Sequence, residues 1–136
     1  MIGKRLGMAW LVIAGAVFAA APASADEFTE EELEKWKEQF MSVVEKGEKL
    51  FHNPQLGTNG VSCDMCHPDA ANTHPETYPK FQKQIGEVAA LRDMINWCIE
   101  NPLKGDPLPA DSAQMDRLEA YITWERRGVP LAPGKH

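Results

Sequence analysis

One pentapeptide constrains this chain more than any other feature of its sequence. Cys63, Cys66 and His67 stand in the order Cys-Asp-Met-Cys-His, which is the C-x-x-C-H spacing to which c-type haem is attached. Two thiols separated by two residues can each form a thioether to one porphyrin vinyl group, and the adjacent imidazole can then bind the iron. The sequence therefore predicts one covalent haem c on Cys63 and Cys66, with His67 as the proximal iron ligand.

Two other uses of the same motif are a reducible Cys-x-x-Cys pair and a zinc site. Redox pairs of the thioredoxin kind open a helix that follows a strand in a βαβ pattern, and the sequence shows no such pattern. Export of the chain also favours haem, because haem is attached to such motifs outside the cytoplasm. Both observations favour haem over the redox pair and the zinc site.

The first 25 residues have the organisation of a secretory signal peptide. A positive start at Lys4 and Arg5 precedes an apolar run over residues 6–21 and an A-x-A-type cleavage site at residues 23–25. The alternative is a membrane anchor, but the apolar run is short for a span. We expect cleavage after this site, a periplasmic location, no membrane attachment afterwards, and one mature cytochrome domain over residues 26–136.

The mature chain is predicted to be acidic. The leader holds two of the 14 basic residues and none of the 20 acidic ones, which leaves 12 basic and 20 acidic residues. An acidic surface argues against nucleic acid and anionic lipid as partners, and it favours a redox partner protein with a basic docking face. The core of so small a domain is modest, and a buried covalent haem would supplement it.

Apolar spacing predicts an all-α chain of three to four helices with long loops. Thr29 and Glu32 form a capping box that opens the first helix. Helical spacing returns over residues 87–100 and again from residue 111 until Gly128 and Pro130 end the helix, with a proline-rich loop between the two segments. No strands are predicted, and Trp36 of the first helix is expected in the core.

The order of helix, C-x-x-C-H motif and later helices resembles class I cytochrome c. In that family, a glycine of the first helix lies against an aromatic residue of the last helix, where the two helices cross closely. Gly47 and Tyr121 match this pattern, and Phe51 follows one turn after the glycine. The resemblance implies a cytochrome c-like fold around one covalently attached haem, with the helix crossing at Gly47.

The iron ligand opposite His67 decides what chemistry such a haem can perform. Most class I cytochromes use a methionine from a late loop, and the proline-rich loop of this chain contains none. Cys98 lies just before that loop, and a thiolate is a strong ligand for ferric iron. Cys98 is therefore the predicted distal ligand, with Met94 and Met115 as runners-up. The remaining alternatives are an inert buried thiol, an intermolecular disulfide, an open site, or ligation by His52, His74 or Lys104.

A narrower resemblance supports Cys98. Residues 78–98 are similar to the region before the axial cysteine of SoxA, the haem subunit of SoxAX sulfur-oxidising cytochromes, and residues 127–131 resemble its closing segment. Thiosulfate dehydrogenases of the TsdA type also use a cysteine-ligated haem. The resemblance implies that Cys98 ligates iron and takes part in thiosulfate chemistry, alone or with a second cytochrome subunit. Two features depart from it: Ile99 and Glu100 replace a basic residue after the cysteine, and the chain has one haem motif.

Three functions are compatible with this sequence. The preferred one is electron transfer, at low potential under thiolate ligation, because axial ligands move haem potentials over about 0.8 V. The second is SoxA-like oxidation of thiosulfate, with Cys98 accepting a sulfane sulfur. The third is gas binding at an open or displaceable sixth site. Positive charge for an anionic substrate is available from Arg92, Lys104, Arg126 and Arg127, although a solvated face is the alternative for each.

Overall fold

The computed structural model describes residues 28–135, which contain three α-helices in chain order. These are α1 (Glu30–Phe51), α2 (Leu91–Glu100) and α3 (Ala113–Glu125). The predicted signal peptide and His136 lie outside the described residues. Among the helices of the described part, none has the length and apolar character of a membrane span.

The first helix begins with the predicted capping box. The Thr29 hydroxyl accepts a hydrogen bond from the Glu32 amide at 3.2 Å, and the Glu32 carboxylate accepts one from the Thr29 amide at 2.9 Å. Acidic side chains in this first turn also interact favourably with the positive end of the helix dipole. The helix then runs unbroken through Gly47 to Phe51.

The α1 and α3 helices cross at Gly47. A Cβ atom at this position would lie 1.9 Å from the carbonyl oxygen of Arg117 and 2.8 Å from the Cβ of Tyr121, so only glycine permits the approach. One turn later the rings of Phe51 and Tyr121 pack with their centroids 5.1 Å apart. The predicted close contact at Gly47 is confirmed, and α1 continues through this residue without a break.

The core is formed where these two helices and α2 meet. Ser112 caps α3, because its hydroxyl accepts a hydrogen bond from the Met115 amide at 3.2 Å, and the helix therefore starts two residues later than predicted. The apolar residues that recur at helical spacing along α3, from Met115 to Ile122, are buried. The larger buried residues of the three helices are Val44, Phe51, Ile95, Ile99, Met115, Leu118, Tyr121 and Ile122.

The N-terminal half of α1 extends beyond this core. A helix of 22 residues is about 33 Å long, whereas the 13 residues of α3 span only about 20 Å. The first turns of α1 therefore have no helix opposite them, and Trp36 is 43% exposed. The prediction that Trp36 lies in the core is wrong; its ring packs edge-to-face with Phe28 at 4.8 Å instead.

A short antiparallel hairpin was missed by the helical interpretation of residues 87–100. Strands β1 (Lys80–Gln82) and β2 (Glu87–Ala89) pair with Lys80 opposite Ala89. The turn between them uses Gly86 at a φ of 89°, a conformation that glycine adopts without steric cost. The prediction of no strands is therefore wrong for these six residues.

The α2 helix consequently starts at Leu91 rather than at residue 87. The Asp93 carboxylate accepts a hydrogen bond from the Ala90 amide at 2.7 Å, which satisfies one of the unpaired donors at this helix start. Val88 falls in phase with the apolar face of the helix, but it lies on β2 and is exposed.

Candidate haem site

A cavity of about 410 Å³ lies between α2, the hairpin and the loops around the C-x-x-C-H motif. Cys63, Cys66, His67 and Cys98 all line it, which brings together the four residues that the sequence nominated from two distant segments. Most of the other walls are apolar side chains of the three helices and of the loop after α2. Its volume falls within the range of roughly 300–1,000 Å³ that is typical of cofactor pockets.

A tight turn presents the motif to the cavity. Residues Cys63–Met65 form a single 3-10 turn, and the His67 amide donates to the carbonyl oxygen of Cys63 at 3.0 Å. This turn places the two cysteines and His67 on the cavity side, whereas the Met65 side chain is exposed. Met65 therefore stays away from the cavity even though it lies inside the motif.

The orientation of the His67 imidazole is set by one backbone carbonyl. Its Nδ1 atom lies 2.9 Å from the carbonyl oxygen of Ala71, the only acceptor that the described residues offer it. A donated Nδ1–H leaves Nε2 as the free lone pair, which is the arrangement that metal-binding histidines use. No pattern in the sequence marks Ala71 for this role, because any residue supplies a carbonyl.

Cys98 reaches the cavity from one face of α2. Leu91, Met94 and Ile95 line the cavity from the same face, one and two turns earlier. Burial raises the pKa of the Cys98 thiol to about 11, with a further contribution from negative charge on Cys66. A thioether at residue 66 carries no charge, and iron ligation deprotonates a thiol outright, so the raised pKa describes the sulfur before haem is bound.

Only some of the alternative iron ligands border the cavity. Met94 and His74 line it, whereas Met115 is fully buried in the helical core and does not. His52 and Lys104 also lie outside its walls. Among the methionines of the described residues, Met94 is therefore the one that borders the cavity.

The loop after α2 closes the cavity beside Cys98. The Leu103 amide donates to the carbonyl oxygen of Cys98 at 3.2 Å, and the buried Leu103 side chain lines the cavity. A Cβ atom at Gly57 would lie 1.9 Å from the Leu103 carbonyl oxygen, so this glycine lets the loop before the motif pack tightly against the loop after α2. Asn96 fastens the far end of the same loop through two hydrogen bonds of 2.9 Å to the Leu108 backbone.

The basic residues proposed for anion binding do not border the cavity. Arg92 pairs with Glu119 at 2.6 Å, and the Arg127 guanidinium stacks 4.2 Å from the centre of the Trp124 ring. The lining residue that carries a lysine ammonium is instead Lys80 of β1, which no pattern in the sequence had marked. The basic side chains outside the cavity walls include Arg92, Lys104, Arg126 and Arg127.

Comparison with known proteins identifies the domain. Residues 46–131 match the family described as the SoxA/TsdA cytochrome c domain. The chain belongs to the SoxA/TsdA cytochrome c family. Membership confirms the predicted cytochrome c-like fold and the covalently bound haem c of this SoxA/TsdA domain.

Individual relatives agree with this assignment. A thiosulfate dehydrogenase of Psychrobacter arcticus is 24% identical over 107 residues, which cover 69% of this chain and 33% of the relative. The L-cysteine S-thiosulfotransferase subunit SoxA of Pseudaminobacter salicylatoxidans is 26% identical over 108 residues, covering 77% and 37%. The crystal structure of SoxXA from P. pantotrophus shares the fold, with a TM-score of 0.64 at 20% identity over 72% of this chain and 38% of that one. This SoxA/TsdA domain spans about a third of the length of these curated relatives.

The residues around the cavity fit haem c. The thiols of Cys63 and Cys66 border an apolar space, as two thioethers require, and His67 offers a free Nε2 beside them. Cys98 adds a third sulfur to the same walls. The donor set and the apolar lining therefore suit a covalently held porphyrin with two axial ligands.

Replacing Met115 with leucine tests whether Met115 is a core residue that does not reach the haem iron. We expect the absorption and electron paramagnetic resonance spectra of the haem-loaded protein to stay unchanged, because Met115 does not border the cavity. The loss in unfolding free energy should stay below about 1.5 kcal/mol, since the two side chains have similar volumes. A changed spin state or a new ligand-field signature in Met115→Leu would show that Met115 reaches the iron after all.

Proposed function

We propose that this chain is a periplasmic c-type cytochrome domain with His/Cys-ligated iron. In this proposal Cys63 and Cys66 bond to haem c, His67 is the proximal ligand and Cys98 is the distal ligand. The observation that carries it is that Cys98 and the three motif residues line one cavity, although more than thirty positions separate them in the chain. The hydrogen bond from His67 to Ala71 supports the proximal assignment.

The proposal includes the route by which the protein reaches its compartment. Residues 1–25 serve as a cleaved signal peptide, and residues 26–136 form the mature domain. The family assignment agrees with a periplasmic location for the haem domain, because SoxA/TsdA cytochromes work there.

We further propose that the domain oxidises thiosulfate, as the name of the Psychrobacter arcticus thiosulfate dehydrogenase says of that protein. The Cys98 sulfur forms a bond to the terminal sulfur of thiosulfate, and the cysteine-bound S-thiosulfonate, one proton and two electrons result. A second thiosulfate then attacks the sulfur bonded to Cys98, which releases tetrathionate and returns the thiolate without further electron loss. Bound haem c supplies a one-electron acceptor, so the second electron requires a redox partner.

A second cytochrome subunit is the proposed partner. The domain spans only about a third of the relatives it matches, and one of them, SoxA of Pseudaminobacter salicylatoxidans, is named as a subunit. A partner haem would take the second electron of each S–S bond formed. The net negative charge expected of the mature domain favours a partner with a basic docking face.

The sequence departs from the SoxA pattern in having Ile99 and Glu100 where a basic residue follows the cysteine, and the structure shows that this departure affects the cavity little. Ile99 is fully buried in the helical core, and Glu100 is exposed and lies outside the cavity walls. The acidic side chain that follows Cys98 therefore points away from the space that a thiosulfate anion would enter. Glu100 exerts its field on that space mainly through solvent, which screens it.

Replacing Cys98 with alanine in the haem-loaded protein tests the catalytic role. We expect thiosulfate-dependent haem reduction to fall to background, because the sulfur that forms the S–S bond is gone. Reduction by dithionite should persist, which confirms that the haem is still present and redox-active. The assay is stopped-flow absorbance of the haem with thiosulfate, with and without a purified partner cytochrome.

Met94→Leu is the matched control, since Met94 borders the same cavity one turn earlier on α2. Its thiosulfate-dependent reduction should equal that of the parent. Parent-like turnover in Cys98→Ala would exclude Cys98 as the sulfur acceptor, and the domain would then be an electron carrier whose haem merely passes electrons onward.

A further inference from the structure

One wall of the cavity is a row of polar side chains at every second position. Tyr78, Lys80, Gln82 and Gln84 all line the cavity, whereas the intervening Phe81 is exposed to solvent. Successive side chains of a strand point to opposite faces, so β1 and its flanking residues present this row as a unit. The row stands out because most other walls of the cavity are apolar.

Lys80 is the cationic member of this row. In the part of the chain that the structure describes, it is the one lysine or arginine that borders the cavity. Its ammonium lies 4.8 Å from the centre of the Tyr78 ring, and no carboxylate of residues 28–135 forms an ion pair with it. Lys80 is half-buried as a residue, and an ammonium without a counter-ion is stabilised by an anion that enters the space it borders.

The row faces the same space as the cysteine, because Tyr78 and Cys98 both line the cavity. The side-chain amide of Gln82 donates to the Tyr78 hydroxyl, which fixes the phenol. Burial raises the pKa of Tyr78, and negative charge on Cys98 raises it further, as expected for two groups that border one poorly solvated space. The polar row and the Cys98 sulfur therefore border the same cavity.

We propose that Lys80 binds the sulfonate end of thiosulfate, with the Gln82 and Gln84 amides as further donors, and so directs the terminal sulfur to Cys98. This inference rests on the thiosulfate function proposed above. It assigns anion recognition to the hairpin, which the helical interpretation of the sequence had missed. The ammonium compensates for the basic residue that is absent after Cys98.

A pair of charge-removing substitutions on one hairpin tests the assignment. Lys80→Gln should weaken thiosulfate binding to the haem-loaded protein by about 10- to 100-fold, because it removes a charge-assisted hydrogen bond. Lys83→Gln is the matched control, since Lys83 is exposed on the same hairpin and does not line the cavity. Its dissociation constant, measured by isothermal titration calorimetry, should stay within about twofold of the parent value.

Kinetics and a conservative variant add two independent readouts. Lys80→Gln should raise KM for thiosulfate with kcat little changed, because Lys80 would stabilise the bound substrate and the transition state equally. Lys80→Arg should recover most of the affinity, because the positive charge is kept. The parent's affinity should fall more steeply with ionic strength than that of Lys80→Gln.

The possible outcomes separate this inference from the function on which it rests. Binding that depends on Lys80 without any thiosulfate oxidation would overturn the proposed function and keep the inference. Equal affinity in Lys80→Gln and the parent, or no saturable binding by the parent, would overturn the inference. A shifted haem midpoint potential with unchanged affinity would also overturn it, because Lys80 would then neutralise a haem propionate instead.

Discussion

Replacing Cys98 with methionine should raise the midpoint potential of the haem by about 0.3 V, a large part of the roughly 0.8 V range that axial ligands cover. A thiolate stabilises ferric iron because it brings a negative charge to the metal in a poorly solvated cavity. A thioether is neutral and favours the ferrous state by comparison. The measurement is a spectroscopic redox titration of the haem-loaded protein, with electron paramagnetic resonance of the oxidised form.

The control for this prediction is the same titration on Met94→Leu. Met94 lines the cavity from the same face of α2, so this substitution changes a cavity-lining side chain and leaves the proposed ligand Cys98 in place. Its midpoint potential should match that of the parent. If Cys98→Met kept both the parent potential and the parent resonance spectrum, Cys98 would not be the distal ligand, which would leave an open site or ligation by Met94 or His74, the other candidates that border the cavity.

Replacing Gly47 with alanine should destabilise the folded domain by about 3 kcal/mol or more, at the upper end of what overpacking costs. The new Cβ would lie 1.9 Å from a backbone carbonyl oxygen of α3, and a backbone atom cannot rotate away as a flexible side chain would. Alanine favours an isolated helix over glycine by about 1 kcal/mol, so the measured loss understates the clash. Denaturant unfolding of the haem-loaded protein gives the free energy.

Glu45→Ala provides the comparison for the glycine substitution, because Glu45 is exposed on the same helix two residues earlier. Its unfolding free energy should stay within about 0.5 kcal/mol of the parent. For a domain of this size, the difference between the two variants corresponds to roughly 10 °C or more in Tm. Similar stabilities of Gly47→Ala and Glu45→Ala would mean that α1 and α3 do not approach as closely as the structure shows.

The parts of this site that could be predicted from sequence are those whose chemistry requires particular residue types at particular spacings. The two thiols and the imidazole of the motif are local in the chain, so their proximity follows from covalent connectivity. The crossing at Gly47 could be predicted from the resemblance to class I cytochrome c, and the cost of a glycine inside a helix agrees with a packing role. Cys98 could be nominated because the haem leaves one cysteine over, and the structure places it on the cavity wall.

Other features depend on packing that no local pattern encodes. Met94 and Met115 both lie on apolar helix faces, yet one borders the cavity and the other is buried among the helices. Trp36 has the spacing of a core residue, but the shorter α3 ends before it can cover that turn. Helical spacing of apolar residues shows that a helix has an apolar face, but it does not show which part of the protein packs against that face.

The hairpin shows how a short element can be misread and how a functional residue is then missed. Each strand has three residues, too few for a period of two to stand out from the helical spacing of Val88 with the residues after it. The alternation of polar residues from Tyr78 to Gln84 is the signal that could have revealed β1. With the strand unrecognised, Lys80 had no predicted position relative to the cavity.

The sequence alone determined that a covalent haem belongs in this chain, because the attachment chemistry is contained within five consecutive residues. It also determined that one further cysteine was available to the iron. Only the tertiary structure decided that Cys98 and Lys80 share the cavity with the motif, and that Met115 and the four predicted cations do not. Those relations join segments far apart in the chain, and they depend on how three helices and a hairpin fill space together, which no local spacing specifies.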